Sequence, residues 1–345
     1  MNTNDLNLTF FYTTPGHRSY YEDYGYVSYS YTKAKLLKIT VTLYSIFFVL
    51  GIIGNGLVIW IAGFKMKKSV SSVWFLNLAI ADFFCCASLP LRIAEWIYLI
   101  MYDQDSAMNC ILSIILFNLN MSASVLLLVA MSIDRFVSVM WPFWAKVHRT
   151  QKLVRITAAI IWVISLLLTG LVFYLYGLYF HDLSEWCALA FYYIFHNIYI
   201  IKWTIRLFRL VMMFAIPFLI IFISYVIIYI KVRKSKRSQR SRRPYRIITA
   251  VILCFFLCWF PYYIWPLIPM YNRRNLQFYT VNIIIINLAC LNSCINPIIY
   301  VLIGQVFKPG FLRSIPTRLE KALSEHPNEL CREREDCEPT QNLDV

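Results

Sequence analysis

Residues 110–144 read CILSIILFNLNMSASVLLLVAMSIDRFVSVMWPFW, and this stretch decides the fold. Between Cys110 and Asp134 lie 23 uncharged residues, long enough for a helix to cross the ~30 Å hydrocarbon layer of a bilayer. Asp134 and Arg135 then stand side by side where such a helix would leave the hydrocarbon. Ionisable groups at that depth are costly and are functional suspects. The plainer reading is an ion pair that anchors a helix end.

The rest of the chain repeats the pattern. Of 345 residues, 59% are hydrophobic and 15% charged, against ~25% charged in soluble domains. Uncharged runs fall at 39–64, 111–133, 156–180, 210–230, 247–272 and 275–307, and a seventh, 69–91, is interrupted only by Asp82. The expected fold class is therefore an all-α membrane protein, a seven-transmembrane helix bundle occupying residues 36–305. Sixteen Lys and Arg lie in the connectors of one side (65–68, 146–155, 231–246) and five in those of the other. The basic side is cytoplasmic by the positive-inside rule, so the N-terminus is outside and the C-terminus inside, as in a multi-pass plasma-membrane protein. The net charge of +15 is accounted for by this topology, and nucleic acid is not an expected partner.

Outside the spans the reading is compositional. No cleavable signal peptide is visible, and residues 1–35 are expected to form an extracellular tail. Asn7 opens a glycosylation sequon. Tyr20, Tyr21 and Tyr24 flank Glu22 and Asp23 and are sulfation candidates. Of ten cysteines, only Cys110 and Cys187 fall near the outer face, where an oxidising compartment favours a disulfide between them. Residues 306–324 alternate apolar and basic positions, as in an amphipathic helix lying on anionic lipid, and 325–345 read as a disordered tail. No metal-ligand spacing, nucleophile triad or phosphate loop occurs, so neither an enzyme nor a transition-metal site is expected.

Polar residues inside the spans carry the chemistry. Asp82, Asn120, Ser124, Asn292 and Asn296 lie on inner faces of three spans. One carboxylate with neutral oxygens suits a monovalent hard cation, because divalent ions want more charge; the plainer reading is a hydrogen-bond cluster without an ion. Asn55 is an amide in hydrocarbon and needs a partner. Pro217, Pro261 and Pro297 each break a backbone ladder, and Asn296 is placed to bridge the gap at Pro297. Arg92, Glu95, Arg206 and Arg209 lie in the outer thirds of the second and fifth spans. Arg206 and Arg209, three apart, share a helix face and need an anion there, for which a carboxylate can be held bidentately.

Asn55 in GN, Asp82 in LAIAD, Cys110, Asp134-Arg135, Trp162, Pro217, Trp259-Phe260-Pro261 and Asn296-Pro297-Ile298-Ile299-Tyr300 occur one set per span and in order. Together they resemble the rhodopsin-like G-protein-coupled receptors over roughly residues 35–323. Within that family VWFLNLAIADF, FFLCWFPY and LNSCINPIIYVLIGQ are similar to the leukocyte chemoattractant receptors: complement anaphylatoxin, formyl-peptide and chemerin. The resemblance implies that Asp134 neutralises Arg135 at rest and that Arg135 meets an inhibitory-type heterotrimeric G protein on activation. Tyr225 and Tyr300 would close beneath it, and Trp259 with Phe255, Pro217 and Val125 would couple ligand to bundle. It implies a sodium ion, as allosteric modulator rather than cofactor, at the positions of Asp82, Ser124 and Asn296. Arg209 matches the arginine used for a peptide ligand's acidic group.

Departures are informative. Phe136 replaces the usual tyrosine; Asn118 and Asn282 stand where formyl-peptide and anaphylatoxin receptors carry aspartates, and Lys202 reverses an acid. The ligand set Arg92, Glu95, Asn118, Arg206, Arg209 and Asn282 is thus more cationic than in the relatives, which points to an acidic or carboxylate-ended peptide or small protein acting in leukocyte chemotaxis and inflammation. An acidic lipid mediator is the alternative ligand, and a weakly signalling scavenger receptor the alternative mechanism. Beyond the amphipathic helix only Ser324 and Thr340 offer hydroxyls, so weak arrestin engagement is expected.

Overall fold

The computed structural model describes residues 20–66, 68–102, 107–177, 199–234, 243–268 and 276–304, and among them the ordered elements are all helical. In chain order they are α1 (Tyr20–Trp60), α2 (Val70–Ala87), α3 (Leu89–Tyr102), α4 (Ala107–Met140), α5 (Pro142–His148), α6 (Gln151–Gly177), α7 (Tyr199–Leu210), α8 (Ile216–Lys234), α9 (Arg243–Ile264) and α10 (Leu276–Gly304). Seven stretches of these helices are long and apolar enough to cross a membrane: Ala34–Lys65, Val70–Glu95, Ile111–Met140, Gln151–Tyr174, Arg206–Lys231, Ile248–Leu267 and Thr280–Tyr300. They are the seven spans expected from the uncharged runs. Asn7, Cys187 and hence its disulfide with Cys110, the surface helix 306–324 and the tail 325–345 lie outside the described residues.

Three boundaries differ from expectation, each for a local reason. Helix α1 starts at Tyr20, inside the stretch read as tail, because no proline interrupts the chain from there to Pro90. The sulfation candidates Tyr20, Tyr21 and Tyr24 therefore fall on helical backbone. The second span is built from α2 and α3 with a turn at Ser88; Pro90 cannot donate to the Cys86 carbonyl four residues back, and at the turn the Ser88 hydroxyl donates to the neighbouring Cys85 carbonyl at 2.7 Å. Helix α4 continues to Met140, so Asp134 and Arg135 lie within the helix rather than past its end.

Packing follows polarity. The third span lies against the second, fourth and fifth, and the seventh spans the gap between the first and the sixth. Trp259, Phe255, Leu127, Leu128, Leu78 and Tyr300 are fully buried between them. By contrast Ile160, Val163 and Leu167 of α6 and Leu219, Phe222 and Ile223 of α8 are exposed. An apolar face this extensive belongs against lipid.

Candidate functional site: two arginines, a tryptophan and a basic end

The end of the bundle opposite the basic connectors gathers aromatic rings between two guanidinium groups. Arg92 is buried, its guanidinium 5.2 Å from the Phe117 ring centre. Arg209 lies 5.8 Å from the Tyr262 ring centre, and its Nη2 donates to Asn118 Oδ1 at 3.0 Å. Phe117 and Tyr262 meet edge to face at 5.7 Å, and both touch Trp259, at 5.1 and 5.4 Å. Cations over ring faces are favourable contacts, so this end of the bundle joins both arginines to one tryptophan through two rings. Phe255 and Tyr263 complete the cage around Trp259, which is fully buried. None of the described residues accepts from its indole N–H.

A cavity of about 210 Å³ opens beside Arg209. Asn118, Met121, Leu168, Val172, Phe208 and Met213 line it with Arg209, and it is mostly apolar. Arg206 and Arg209 do share a helix face in sequence, yet they turn to different neighbours. Arg206 Nη1 donates to the Pro266 carbonyl at 3.1 Å on the sixth span, while Arg209 reaches Asn118 on the third. Glu95 and Asn282 are buried on the second and seventh spans, outside this cavity.

Midway through the bundle four of the five expected polar residues, with Ser293, make hydrogen bonds between the second, third and seventh spans. Asn296 Nδ2 donates to Asp82 Oδ2 at 2.7 Å, Asn120 Nδ2 to Ser293 Oγ at 2.7 Å, and Ser124 Oγ to Asn120 Oδ1 at 2.9 Å. Asp82 is fully buried. Asp82 Oδ1 and Asn296 Oδ1 accept no hydrogen bond from the described residues, nor does Asn292 Oδ1, buried elsewhere on the seventh span. A buried carboxylate with no counter-charge among the described residues is expensive, and one carboxylate with neutral oxygens could hold a monovalent cation rather than a divalent one. Among the described residues no group of three or more His, Cys, Asp or Glu is placed to hold a metal ion.

Pro297 acts differently from expectation. Lacking an N–H, it leaves the Ser293 carbonyl, four residues back, without its helical donor. Asn55 Nδ2 supplies one at 2.8 Å, tying the first span to the seventh. The amide expected to bridge that gap, Asn296, goes to Asp82 instead.

At the basic end the structure corrects one pairing. Asp134 does not neutralise its neighbour: Arg149 Nε donates to Asp134 Oδ1 at 2.7 Å and Arg149 Nη2 to Oδ2 at 2.8 Å. Residues i and i+1 of a helix point about 100° apart and do not face each other. Arg135 accordingly reaches across to the second span, donating from Nη2 to Ser71 Oγ. Ser71 is held in the first turn of α2, which Ser69 and Ser72 cap reciprocally, each hydroxyl accepting from the other's backbone N–H at 3.1 and 2.9 Å. Gln151 Nε2 donates to the Lys68 carbonyl beside it. Tyr300 is buried against Phe75, ring centres 5.2 Å apart. Phe136, where a tyrosine was expected, packs edge to face on Trp141 at 5.8 Å.

Trp162 Nε1 donates to Asn77 Oδ1 at 3.0 Å, fixing the fourth span to the second. The model of the 7 transmembrane receptor (rhodopsin family) matches residues 54–300, a segment running from the Asn55 tie to Tyr300. The chain belongs to the rhodopsin family of seven-transmembrane receptors.

Its relatives in that family share much of its length. The receptor is 35% identical over 305 residues to the C3a anaphylatoxin chemotactic receptor of Danio rerio, covering 88% of this chain and 82% of that protein. It is 37% identical over 298 residues to the C5a anaphylatoxin chemotactic receptor 1 of Danio rerio, covering 84% of each. With N-formyl peptide receptor 2 of Homo sapiens the identity is 36% over 331 residues, covering 88% and 90%. Sequence reasoning missed several residues of this receptor's sites: Phe117 and Tyr262, which look like ordinary core aromatics, and Ser71 and Arg149. Arg149 was counted among the topology-setting cations, and only its position after the short helix α5 could have singled it out.

Proposed function

We propose that the chain is a cell-surface receptor for a chemotactic peptide or small protein carrying an acidic group, and that it activates an inhibitory-type G protein. The observation that carries the reading is the junction of Arg92 and Arg209 on Trp259 through Phe117 and Tyr262. A ligand carboxylate that takes Arg209 from Asn118 gains a bidentate, charge-assisted partner in place of a neutral amide. The guanidinium then leaves the Tyr262 face, and the ring that meets Trp259 edge to face loses its cation. That change is passed to the sixth span, whose movement opens the end where Arg135 lies.

The positive-inside rule supports placing that end in the cytoplasm. The connector there is suited to a protein partner: Phe143 is 88% exposed and Val147, one turn on, 70% exposed on the short helix α5. The unpartnered oxygens around Asp82 support a sodium ion held by Asp82, Ser124 and the neighbouring amides. When bound it would supply the counter-charge that the carboxylate lacks and hold spans two, three and seven together. An acidic lipid is the second reading of the ligand, supported by the apolar walls of the cavity beside Arg209.

The test is a G-protein dissociation assay on cells expressing the chain, run against chemotactic peptides, chemerin, complement fragments and acidic lipids. A response abolished by an inhibitory-G-protein toxin and by Arg209→Ala supports the reading. A toxin-insensitive response, or silence across the panel at normal surface expression, contradicts it.

A further inference from the structure

The cavity beside Arg209 has a side mouth that the sites above do not use. Among the described residues the fourth and fifth spans each rest on the third and make little contact with one another. Between them Leu171 and Phe208 line the cavity while being 44% and 45% exposed. The space of about 210 Å³ is therefore open toward lipid as well as toward Arg209. Both residues belong to the outer ends of their spans, Gln151–Tyr174 and Arg206–Lys231. The mouth thus lies where the hydrocarbon of the outer leaflet meets its headgroups. Thr169, on the same wall, is buried and lines the cavity. A helical serine or threonine often donates to the carbonyl four residues back, as Ser165 does to Ile161 at 2.8 Å one turn earlier. No described residue pairs with the Thr169 hydroxyl. A buried hydroxyl without a partner is costly, and this one borders a space walled mainly by apolar side chains such as Leu168 and Val172.

We infer that this cavity takes the head end of an outer-leaflet fatty acid, which enters sideways between the fourth and fifth spans and sets its carboxylate on Arg209. Dry apolar cavities of roughly 150 Å³ take up apolar molecules rather than water, and this one is larger and continuous with lipid. Its volume holds part of a single chain. The rest of the tail runs down the lipid-facing side chains one turn deeper, Leu167 and Met212, which are 67% and 42% exposed. The guanidinium fork matches a carboxylate bidentately, and the Thr169 hydroxyl is a second donor in the same space. A methyl ester of the same chain lacks the charge that an arginine at this depth needs. A fatty carboxylate seated here occupies the guanidinium that a peptide carboxylate would take, so the bilayer sets how much of Arg209 is free. The inference rests on the reading of Arg209 as the carboxylate-binding residue and on the outer placement of this end of the bundle. It goes beyond both in naming the bilayer as a source and the side mouth as the route.

The test uses the full chain in phosphatidylcholine nanodiscs doped with palmitic acid that carries a photoactivatable diazirine on its chain, with the methyl ester of the same probe as control. Cross-links of the acid are expected to concentrate on residues 167–172 and 208–213, about tenfold above the lipid-exposed positions Ile160 and Phe222. Those of the ester should spread evenly over the exposed faces. Arg209→Gln should bring the acid to the ester's pattern. Leu171→Trp crowds the mouth at a half-exposed position and should cut the acid's labelling of 208–213 to the same extent, with an unfolding temperature near that of the wild type. Even labelling by the acid, an equal preference shown by the ester, or an acid pattern unchanged in either folded variant overturns the inference. The wild-type comparison of acid with ester decides the matter even where a variant fails to fold. No readout uses a peptide or a G protein, so failure here leaves the receptor reading standing, and a receptor silent to every peptide would still give the labelling.

Discussion

Arg149 holds Asp134 with both arms of its guanidinium, Nε to Oδ1 at 2.7 Å and Nη2 to Oδ2 at 2.8 Å. The acid beside Arg135 is thereby occupied by a residue 15 positions further on, and Arg135 donates to the hydroxyl of Ser71. The side chains of Arg149 and Asp134 are 17% and 9% exposed, dry enough for a charge-assisted bidentate pair to matter. Replacing Arg149 by Ala is expected to cost about 2 kcal/mol of stability. It should also lower agonist-driven nucleotide exchange, because the connector after α4 loses its tie to the third span. Arg149→Lys restores the charge but not the fork and should recover the loss only in part. Thermal unfolding and exchange rates on purified receptor check both; wild-type exchange in Arg149→Ala would show the tie to be structural only.

Phe117 stands between Arg92 and Trp259. Phe117→Leu keeps most of the apolar volume, so packing should suffer by less than about 1.5 kcal/mol, while both ring contacts vanish. Surface expression and ligand binding are expected to hold, with the maximal response falling severalfold. Equal loss of binding and response would place Phe117 in the ligand contact rather than in the relay.

Asn118 Oδ1 accepts from Arg209 at 3.0 Å. Asn118→Asp puts a carboxylate in the same place and satisfies the guanidinium internally. Responses to peptides with a free C-terminal carboxylate should weaken by about tenfold or more, the scale of ~1.4 kcal/mol, while C-amidated versions change little. Comparison of the paired peptides on one cell line makes the measurement. A uniform loss for both forms would mean that Arg209 does not read the carboxylate.

Asp82 with its spare oxygens should make the protein's stability depend on the cation present. In sodium at ten times the dissociation constant the folded state gains ~1.4 kcal/mol, visible as a higher unfolding temperature in sodium chloride than in choline chloride at equal ionic strength. Asp82→Asn is expected to abolish the difference. A sodium effect that survives the substitution would locate the ion elsewhere.

Much of this was legible in the chain because hydrocarbon makes few exceptions. The seven uncharged runs became seven spans, since only a helix satisfies its own backbone in lipid, and the polar residues Asp82, Asn120, Ser124 and Asn296 converged because each needed a partner away from lipid. What could not be read was which partner. Asn55 ends on the Ser293 carbonyl because Pro297 lacks an N–H, an inference available in principle from the four-residue spacing. Arg149 and Ser71 were hidden because adjacent residues on a helix diverge, so Asp134 and Arg135 answer to different neighbours. Phe117 and Tyr262 gave no signal, since an aromatic in a span looks the same whether it fills space or relays a change.

The central claim, that occupancy at Arg209 is converted into G-protein activation at Arg135, is tested most directly by nucleotide exchange on a purified inhibitory heterotrimer with the receptor in nanodiscs. With free-carboxylate chemotactic peptides, complement fragments and chemerin as probes, wild type should accelerate exchange with at least one probe. Arg209→Ala should need far more of that probe, and Arg135→Ala should bind it normally yet leave exchange at its basal rate. Acceleration that survives Arg135→Ala unchanged, or a correctly folded wild type that accelerates exchange with none of the probes, would contradict the account.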